Sequence, residues 1–347
     1  MAYTWSWSWG SESAVLLESD LGWTFSNTTT AAIEPRTTEQ YKPTGGPTRY
    51  SMFVDSVVDT FLPVAAFSGL DQGVISVAVK ALVFSPSATK IIVGVFGATN
   101  TSRAIYVTIN TGAVSLYVDN VFKSTSATTY DFLNWRFIAL HFDMRAVAWI
   151  GRVTVDGVES NPAATDNRAV DQAGQVLLEG CVLNDRNWVI GPVIVQDTYA
   201  DTSAPRFVTR ISPDADVSTV GTWTPTTGTN HASTGVDPFD AATNTTEATP
   251  TIGDEVITNY TGDLTAKLGG VPASVDLVTA HSYSTGLNNT ARAEVGDQAG
   301  ATTTAGTTGI IGSDTTYVYA SAPTKPSDGS AWIGTDTPKT KYEVVSV

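Results

Sequence analysis

Two alternating runs of residues between Asn134 and Val158 constrain the fold of this chain most strongly. Large apolar residues alternate with other types in both runs, Arg136 to Phe142 and Val147 to Val155, which is the period of an extended strand. Asp143 to Arg145 separates the runs, and Asp156-Gly157 follows the second, where glycine accepts positive φ without steric cost. The pattern predicts two antiparallel strands joined by a tight reversal.

Further runs with the same two-residue period cover most of the chain between residues 50 and 196. The clearest hairpin joins two alternating strands through the two-residue turn Thr111-Gly112. The sequence lacks the amphipathic helices that a parallel α/β fold needs between its strands, so the pattern favours an antiparallel sandwich. The predicted strands are Tyr50–Val54, Gly73–Phe84, Lys90–Phe96, Ala104–Asn110, Ala113–Asp119, Arg136–Phe142, Val147–Val155, Gln175–Leu183 and Trp188–Gln196.

The hairpin region carries a resemblance to a known fold. Trp135 opens a strand, the following apolar run ends in Asp143, and the second strand finishes in Val155-Asp156-Gly157. This arrangement resembles the central hairpin of the laminin-G/concanavalin-A-like jelly rolls. The resemblance implies a laminin-G/concanavalin-A-like β-sandwich for the first domain.

Proline, small residues and acids interrupt the strand pattern between Asp197 and Asp216, which predicts a domain boundary near Pro205. The expected domains are residues 1–204 and a smaller β-sandwich at 205–347, which makes the chain all-β with two jelly-roll sandwiches. Strands predicted in the second domain are Gly221–Trp223, Glu255–Tyr260, Val275–Tyr283, Ala291–Val295, Thr315–Ala320 and Tyr342–Val347.

The segment from Arg206 to Thr246 carries a second resemblance. Its pattern is a V-x-x-I-x-P run near an aspartate, then a tryptophan, a G-x-N-H motif, an Asp-Pro pair and a threonine-rich end; the residues are Val208, Ile211, Pro213, Asp216, Trp223, Gly228, Asn230, His231, Asp237 and Pro238. The segment resembles one that recurs in tailed-phage virion proteins, where a laminin-G-like domain often precedes it. This implies a non-enzymatic virion protein that binds copies of itself and other virion proteins.

Charge and cysteine content restrict the partners. The net charge is -15, and no lysine or arginine cluster interrupts the acidity, so binding to nucleic-acid phosphates is opposed electrostatically. Only 15% of residues are charged, which suits β-rich extracellular or particle-bound proteins. The single cysteine, Cys181, excludes an internal disulfide framework, and no Cys/His cluster predicts zinc. Its expected state is a small buried apolar group.

The N-terminal sequence lacks the basic and continuous apolar regions of a Sec signal. The longest apolar runs, such as Val74 to Phe84, are interrupted by Ser76 and Lys80 and are too short to span a bilayer. The expectation is therefore synthesis in the host cytoplasm, no membrane insertion and a final location in the virion.

Aromatic and hydroxyl residues alternate at residues 3 to 9, which places Trp5, Trp7 and Trp9 on one face of a strand. One interpretation is an N-terminal strand whose aromatic face belongs to the core. The other is an assembly arm whose aromatic face becomes buried only in a partner.

Four polar residues are candidates for ligand-binding loops by position. Laminin-G-like domains often hold a calcium ion on the sandwich rim through carboxylate and carbonyl oxygens, and sugar sites place Asp or Asn beside an aromatic surface. The candidates are Asp119, Asn120, Asp156 and Asp185. The alternative is that they are ordinary turn residues, since Asp and Asn are common in turns.

The sequence lacks the phosphate-loop, dinucleotide, zincin and α/β-hydrolase motifs, and no pattern selects a catalytic acid pair. The prediction is a protein without catalytic residues or a required cofactor. It would be a tail fibre, a baseplate or neck appendage, or a capsid decoration, with binding of host-surface glycans as a subordinate role. The alternatives are a free carbohydrate-binding lectin and a polysaccharide depolymerase.

Overall fold

The structure is a computed structural model. It describes residues 3–7, 24–25, 32–41, 49–55, 59–61, 70–82, 90–97, 103–179, 188–199, 215–225, 228–230, 245–247, 249, 251–259, 275–284, 289–297, 308–311 and 316–346. Side-chain burial is described for residues 70–82, 92–97, 104–173, 189–199, 215–225, 228–230, 249, 251–258, 275–278, 292–297 and 320–344.

The described residues form antiparallel sheets in two compact units, so the all-β prediction is confirmed. Strands β1 to β15 belong to the first unit and β16 to β24 to the second. The predicted boundary near Pro205 lies outside the described residues, between the end of β15 at Gln196 and the start of β16 at Ala215, and it stays a prediction. No helix in the described part of the chain is long and apolar enough to cross a membrane.

An eight-stranded sheet forms one layer of the first unit. Its order is β13-β12-β11-β6-β15-β4-β3, with β1 also paired to β15. Its strands are β1 (Tyr3–Trp7), β3 (Ala32–Tyr41), β4 (Arg49–Asp55), β6 (Gln72–Ala81), β11 (Arg136–Asp143), β12 (Ala148–Val155), β13 (Val158–Asn167) and β15 (Trp188–Gln196). The predicted hairpin is therefore β11–β12, which pairs Ile138 with Val155 and Asp143 with Ile150.

A seven-stranded sheet of order β10-β9-β8-β7-β14-β5-β2 forms the second layer. Its strands are β2 (Thr24–Phe25), β5 (Asp59–Phe61), β7 (Lys90–Gly97), β8 (Arg103–Asn110), β9 (Ala113–Val118), β10 (Val121–Thr125) and β14 (Ala173–Glu179). The Thr111-Gly112 turn has positive φ at both residues, 48° and 85°, as a type I′ hairpin requires.

The two sheets pack closely at Gly151 of β12. A Cβ atom there would lie 2.9 Å from Ile105 Cγ2 and 3.0 Å from Val118 Cγ2, both on the seven-stranded sheet. Ile105, Leu116 and Val118 have no exposed surface, so they face this shared core. The apolar halves of the alternating runs therefore form the interior of a sandwich.

Polar side chains join the two sheets along one edge of the sandwich. The amide of Asn161 on β13 donates to the carbonyls of Val114 and Ser124 at 3.2 Å each, and to Ser124 Oγ at 3.0 Å. Lys123 Nζ lies 2.6 Å from the carboxylate of Asp166. Register shifts on either side of Val153 interrupt the β12–β13 ladder, where β13 turns toward the second sheet.

A five-stranded sheet of order β16-β19-β24-β21-β22 dominates the second unit, beside the two-stranded sheets β17–β18 and β20–β23. The strands are β16 (Ala215–Val220), β17 (Trp223–Pro225), β18 (Thr245–Glu247), β19 (Glu255–Asn259), β20 (Val278–Ser284), β21 (Asn289–Gly296), β22 (Thr308–Ile311), β23 (Thr316–Ala322) and β24 (Lys339–Ser346).

The core of the second unit surrounds Trp332, which is 1% exposed. Ala293 and Val295 of β21 pack in one cluster with this ring and with Ala320 and Ala322 of β23. The indole N–H donates to the carbonyl of Ala322 at 2.8 Å, so the one polar atom of this buried side chain has a hydrogen-bond partner. The five-stranded sheet and the β20–β23 ribbon therefore form two packed layers.

Candidate functional site

An aromatic row, Tyr106, Tyr117 and Phe122, crosses three strands of the seven-stranded sheet. Tyr106 and Tyr117 are register partners on β8 and β9, and Phe122 of β10 is the partner of Tyr117. Neighbouring side chains Ile105, Leu116 and Val118 face the core, so the row lies on the outer face. Phe96 of β7 is partly buried and packs against Tyr106, which extends the row toward the sheet centre.

The ring geometry shows which part of the row faces solvent. The rings of Tyr106 and Tyr117 are stacked, with centroids 4.7 Å apart and planes 4° apart. Because this spacing equals the distance between strands, about 4.8 Å, both rings stand upright on the sheet. The Phe122 ring lies 70° from the plane of Tyr117, so its faces point away from the stacking direction, and the residue is 53% exposed.

A hydroxyl row, Thr108, Ser115 and Thr125, lies beside the aromatic row on the same outer face. Ser115 pairs with Thr108 on one side and Thr125 on the other. The oxygens Ser115 Oγ and Thr125 Oγ1 are 2.8 Å apart and exposed. A bulge between Phe122 and Ser124 turns Ser124 inward and keeps Thr125 on the outer face. Along the strand, Ser115 and Tyr117 are roughly 6.6 Å apart.

Gly94 of β7 makes room for the buried member of the aromatic row. It is the register partner of Tyr106, and a Cβ atom at Gly94 would lie 2.8 Å from Tyr106 Cβ. Tyr106 is 9% exposed. Because Gly94 has no side chain, the ring of Tyr106 packs close to the backbone of the sheet, where Tyr117 can stack on it.

Two of the predicted ligand-loop residues form a tight hairpin turn. Asp119 and Asn120 connect β9 to β10 and have φ values of 54° and 60°, as the central residues of a type I′ turn require. One carboxylate oxygen of Asp119 forms an ion pair with Nε of Arg168, just after β13. The aspartate therefore ties the β9–β10 turn to the edge strand of the other sheet.

Asp156 also occupies a type I′ turn, with Gly157, between β12 and β13. Its carboxylate accepts the backbone N–H of Phe137 at 2.9 Å and the guanidinium of Arg136 at 2.8 Å. Both oxygens are thus used in fixing the start of β11 against the turn.

Asp119 and Asn120 lie at one end of the sandwich, and Asp156 lies at the other. Asp156 lies in the turn two residues before β13, whereas Arg168, the partner of Asp119, directly follows the strand. Ten extended residues span about 33 Å. Asp185 lies outside the described residues. Within the described residues, no three His, Cys, Asp or Glu side chains are grouped to hold a metal ion. A ligand-binding role for these residues stays a prediction.

The backbone of the predicted assembly arm is described in part. Trp5 and Trp7 lie on β1, where they pair with Val195 and Val193 of β15 in the eight-stranded sheet. Trp9 lies outside the described residues. The N-terminal strand is confirmed, and the partner of its aromatic face stays a prediction.

A charge cluster of Glu255, Arg292, Glu294, Lys341 and Glu343 lies on one face of the five-stranded sheet. Lys341 Nζ lies 2.7 Å from Glu294, 3.0 Å from Glu343 and 3.6 Å from Glu255. Arg292 contacts Glu343 at 2.6 Å and Glu294 at 3.0 Å. Glu294 is 1% exposed, so its charge depends on these two cations.

Ion pairing shifts the pKa of two members of the charge cluster. Burial opposes the charged form of Glu343, but hydrogen bonds from Arg292 and Lys341 outweigh it and hold the pKa below the ordinary range. Burial likewise opposes the charge of Lys341, and the carboxylates of Glu294 and Glu343 outweigh it and raise its pKa. Both shifts favour the charged forms, so Glu343 is the opposite of a carboxyl poised as a general acid.

The sequence motif of residues 206–246 is described at several positions. The carboxylate of Asp216 on β16 accepts the backbone N–H of Asn230 at 3.0 Å, so two of the motif positions are joined. Gly221 has a φ of 95° and separates β16 from β17, where the sequence predicted a strand beginning at Gly221. His231, Asp237 and Pro238 lie outside the described residues.

Comparisons with known proteins give only distant structural similarity. No protein-family model matches the sequence, and the curated proteins give no match. A Trypanosoma rangeli sialidase in complex with the inhibitor DANA is 11% identical with a TM-score of 0.35, over 49% of this chain and 28% of the sialidase. This chain therefore spans little more than a quarter of that protein.

Two further solved domains are similarly distant. Domain 4 of AbnA, a GH43 extracellular arabinanase from Geobacillus stearothermophilus in complex with arabinotriose, is 12% identical with a TM-score of 0.37, over 58% of this chain and 95% of the domain. The binding domain of Paraclostridial Mosquitocidal Protein 1 is 10% identical with a TM-score of 0.38, over 57% of this chain and 49% of that one. At these TM-scores the similarity assigns no function to the chain.

Proposed function

We propose that this chain is a non-enzymatic structural component of a bacteriophage virion, as a tail fibre, a baseplate or neck appendage, or a capsid decoration, and that its first unit contacts host-surface glycans. The observation that carries the contact role is on the outer face of the seven-stranded sheet, where the exposed ring of Phe122 at the end of the aromatic row lies beside the hydroxyls of Ser115 and Thr125. Such a surface offers shape and hydrogen bonds without ionised groups.

Four carboxylates of the first unit, Asp119, Asp143, Asp156 and Asp166, support a non-enzymatic role. A glycosidase needs one carboxyl group with a raised pKa. Hydrogen bonds from Arg145 and Lys123 instead lower the pKa values of Asp143 and Asp166. Asp119 and Asp156 form ion pairs with Arg168 and Arg136. These four acids stabilise turns and sheet edges.

The assignment to a virion rests on the sequence of residues 206–246 and on the low content of charged residues, 15%. Low charge suits close packing of β-sheet surfaces with other copies and with virion proteins, and closed symmetric assembly is the usual arrangement. We expect a homo-oligomer within the particle, assembled from protein made in the host cytoplasm.

Mass spectrometry of purified particles tests this proposal. The expected result is a fixed copy number of the chain relative to the major capsid protein after density-gradient purification. Finding the chain only in the soluble lysate, monodisperse and binding sugar, would replace the proposal with a free lectin. Release of reducing sugars from a capsular polysaccharide by the purified chain would favour a depolymerase.

A further inference from the structure

We propose that the outer face of the seven-stranded sheet binds an uncharged saccharide, with Phe122 as the ring on which a sugar stacks and Ser115 and Thr125 as its hydrogen-bonding groups. The proposal rests on the glycan contact proposed above and names its place and ligand class. Tyr106 and Tyr117 support Phe122 from the side through a stacked pair and an edge contact.

The chemistry of the surface matches a sugar ring. A pyranose presents a face of C–H groups and a rim of hydroxyls, so it needs an aromatic face beside groups that both donate and accept hydrogen bonds. Phe122 is 53% exposed with its faces turned away from Tyr117. The hydroxyls of Ser115 and Thr125 are exposed and hydrogen-bonded to each other at 2.8 Å, which leaves one O–H donor and free lone pairs for a ligand. They lie one outward position along the strands from the aromatic row.

The charge of the surface selects an uncharged ligand. Neither the aromatic row nor the hydroxyl row contains an acid or a base that is ionised at neutral pH, and the whole chain carries a net charge of -15. An anionic sugar would be repelled by the net negative charge of the protein, because Lys123 beside Phe122 is already paired with Asp166. The negative charge of the protein does not oppose the binding of a neutral sugar.

The extent of the surface favours a small ligand over a second copy of the chain. Three strands and two outward positions cover about 10 Å by roughly 7 Å. A stable protein interface needs about 800 Å² from each partner. The surface therefore fits one or two sugar rings.

Calorimetric titration of the full chain with uncharged gluco-, galacto- and manno-oligosaccharides of two to six rings tests the inference, with sialyllactose as the charged probe. We expect saturable binding of at least one neutral series and weaker binding of sialyllactose. In Phe122→Ala the affinity should fall about tenfold or more, because the stacking face is lost. Ser115→Ala should lower it by a smaller factor.

Leu133→Ala is the matched control, because Leu133 is 47% exposed in the same unit and lies outside both rows. Thermal unfolding of each variant shows whether a variant that binds sugar more weakly is still folded. Absence of binding in every neutral series, or equal affinities for the parent and Phe122→Ala, would overturn the inference. A concentration-dependent dimer that Phe122→Ala abolishes would also overturn it, in favour of self-association.

Different results contradict the virion assignment and the saccharide-binding surface. A chain that is missing from purified particles but binds neutral sugars through Phe122 contradicts only the virion assignment. A chain that is present in particles and binds no neutral sugar contradicts the saccharide surface and leaves the structural role.

Discussion

The aromatic row of the first unit and the charge cluster of the second are built in the same way and serve opposite purposes. Each is a set of register partners on one face of an antiparallel sheet, at Tyr106, Tyr117 and Phe122 in one case and at Lys341 with Glu294 in the other. The aromatic row ends in a ring that is 53% exposed, whereas Glu294 is 1% exposed.

The difference shows that burial determines whether side chains paired across neighbouring strands stabilise the fold or remain able to bind a ligand. Buried charges must be paired, so the three carboxylates and two cations of the cluster satisfy one another and leave little for a ligand. Exposed uncharged rings lose little by staying in water and remain able to bind. We therefore expect changes in the cluster to affect folding and changes at Phe122 to affect contact.

The largest expected effect comes from removing the central cation of the cluster. Lys341→Met leaves the buried carboxylate of Glu294 with Arg292 alone, and breaking a buried pair costs about 3 to 5 kcal/mol of unfolding free energy. Urea unfolding combined with hydrogen exchange in β21 and β24 measures the loss in the second unit. Lys341→Arg keeps the charge and should retain most of the stability.

Lys123→Met is the matched lysine variant in the first unit. Lys123 pairs with a single, more exposed acid, Asp166, so the expected cost is about 1 kcal/mol or less. Equal losses in the two lysine variants would contradict the distinction between the two regions.

A smaller effect is expected from adding a side chain under the aromatic row. In Gly94→Val the new Cβ would lie 2.8 Å from Tyr106 Cβ, so the tyrosine must move and the stack with Tyr117 must open. Overpacking of this kind costs about 1 to 3 kcal/mol. Chemical denaturation gives the cost, and near-ultraviolet circular dichroism reports the tyrosine pair. An unchanged tyrosine signal would show that Gly94 does not support the row.

The smallest expected effect is the pH dependence, because the shifted groups are only partly buried. The pKa of Glu343 is lowered in the folded chain, so it contributes stability above the unfolded value of about 4.3 that is lost as the pH falls through the folded value. The pKa of Lys341 is raised, so its contribution is lost as the pH rises above about 10.4.

Hydrogen exchange in β24 as a function of pH follows this change in the second unit. Glu343→Gln should flatten the acid side of the profile, while Phe122→Ala should leave it unchanged, since the aromatic row has no group that titrates there. A steeper acid profile in Glu343→Gln would contradict the assigned role of the ion pairs.

Strands with a buried apolar face were predictable from sequence, and polar edge strands were not. β15 begins and ends as predicted, at Trp188 and Gln196, because both of its faces are apolar. β13 contains Pro162 and buries only Asn161, so it has no hydrophobic period. Proline is tolerated there because β13 is an edge strand. β16 is exposed along most of its length and was missed for the same reason.

The aromatic row left a signal in the sequence that the strand prediction did not use. A two-residue turn at Thr111-Gly112 fixes the register so that Tyr106 must oppose Tyr117. A similar turn at Asp119-Asn120 places Phe122 opposite Tyr117. From the sequence, Asp119 and Asn120 are ligand-loop candidates or ordinary turn residues, and no strand is predicted directly after them. A two-residue hairpin turn at these positions predicts a strand from Val121 and, with it, the aromatic row.

The sequence by itself determined the all-β class, the central hairpin and the register across two-residue turns, because side-chain period and turn chemistry act between neighbours in the chain. Only the tertiary structure decided that Asp119 and Asp156 lie at opposite ends of a sandwich and that Lys341 lies between Glu294 and Glu255. Those relations join residues tens of positions apart, and they depend on which strands become neighbours when the sheets close over a shared core.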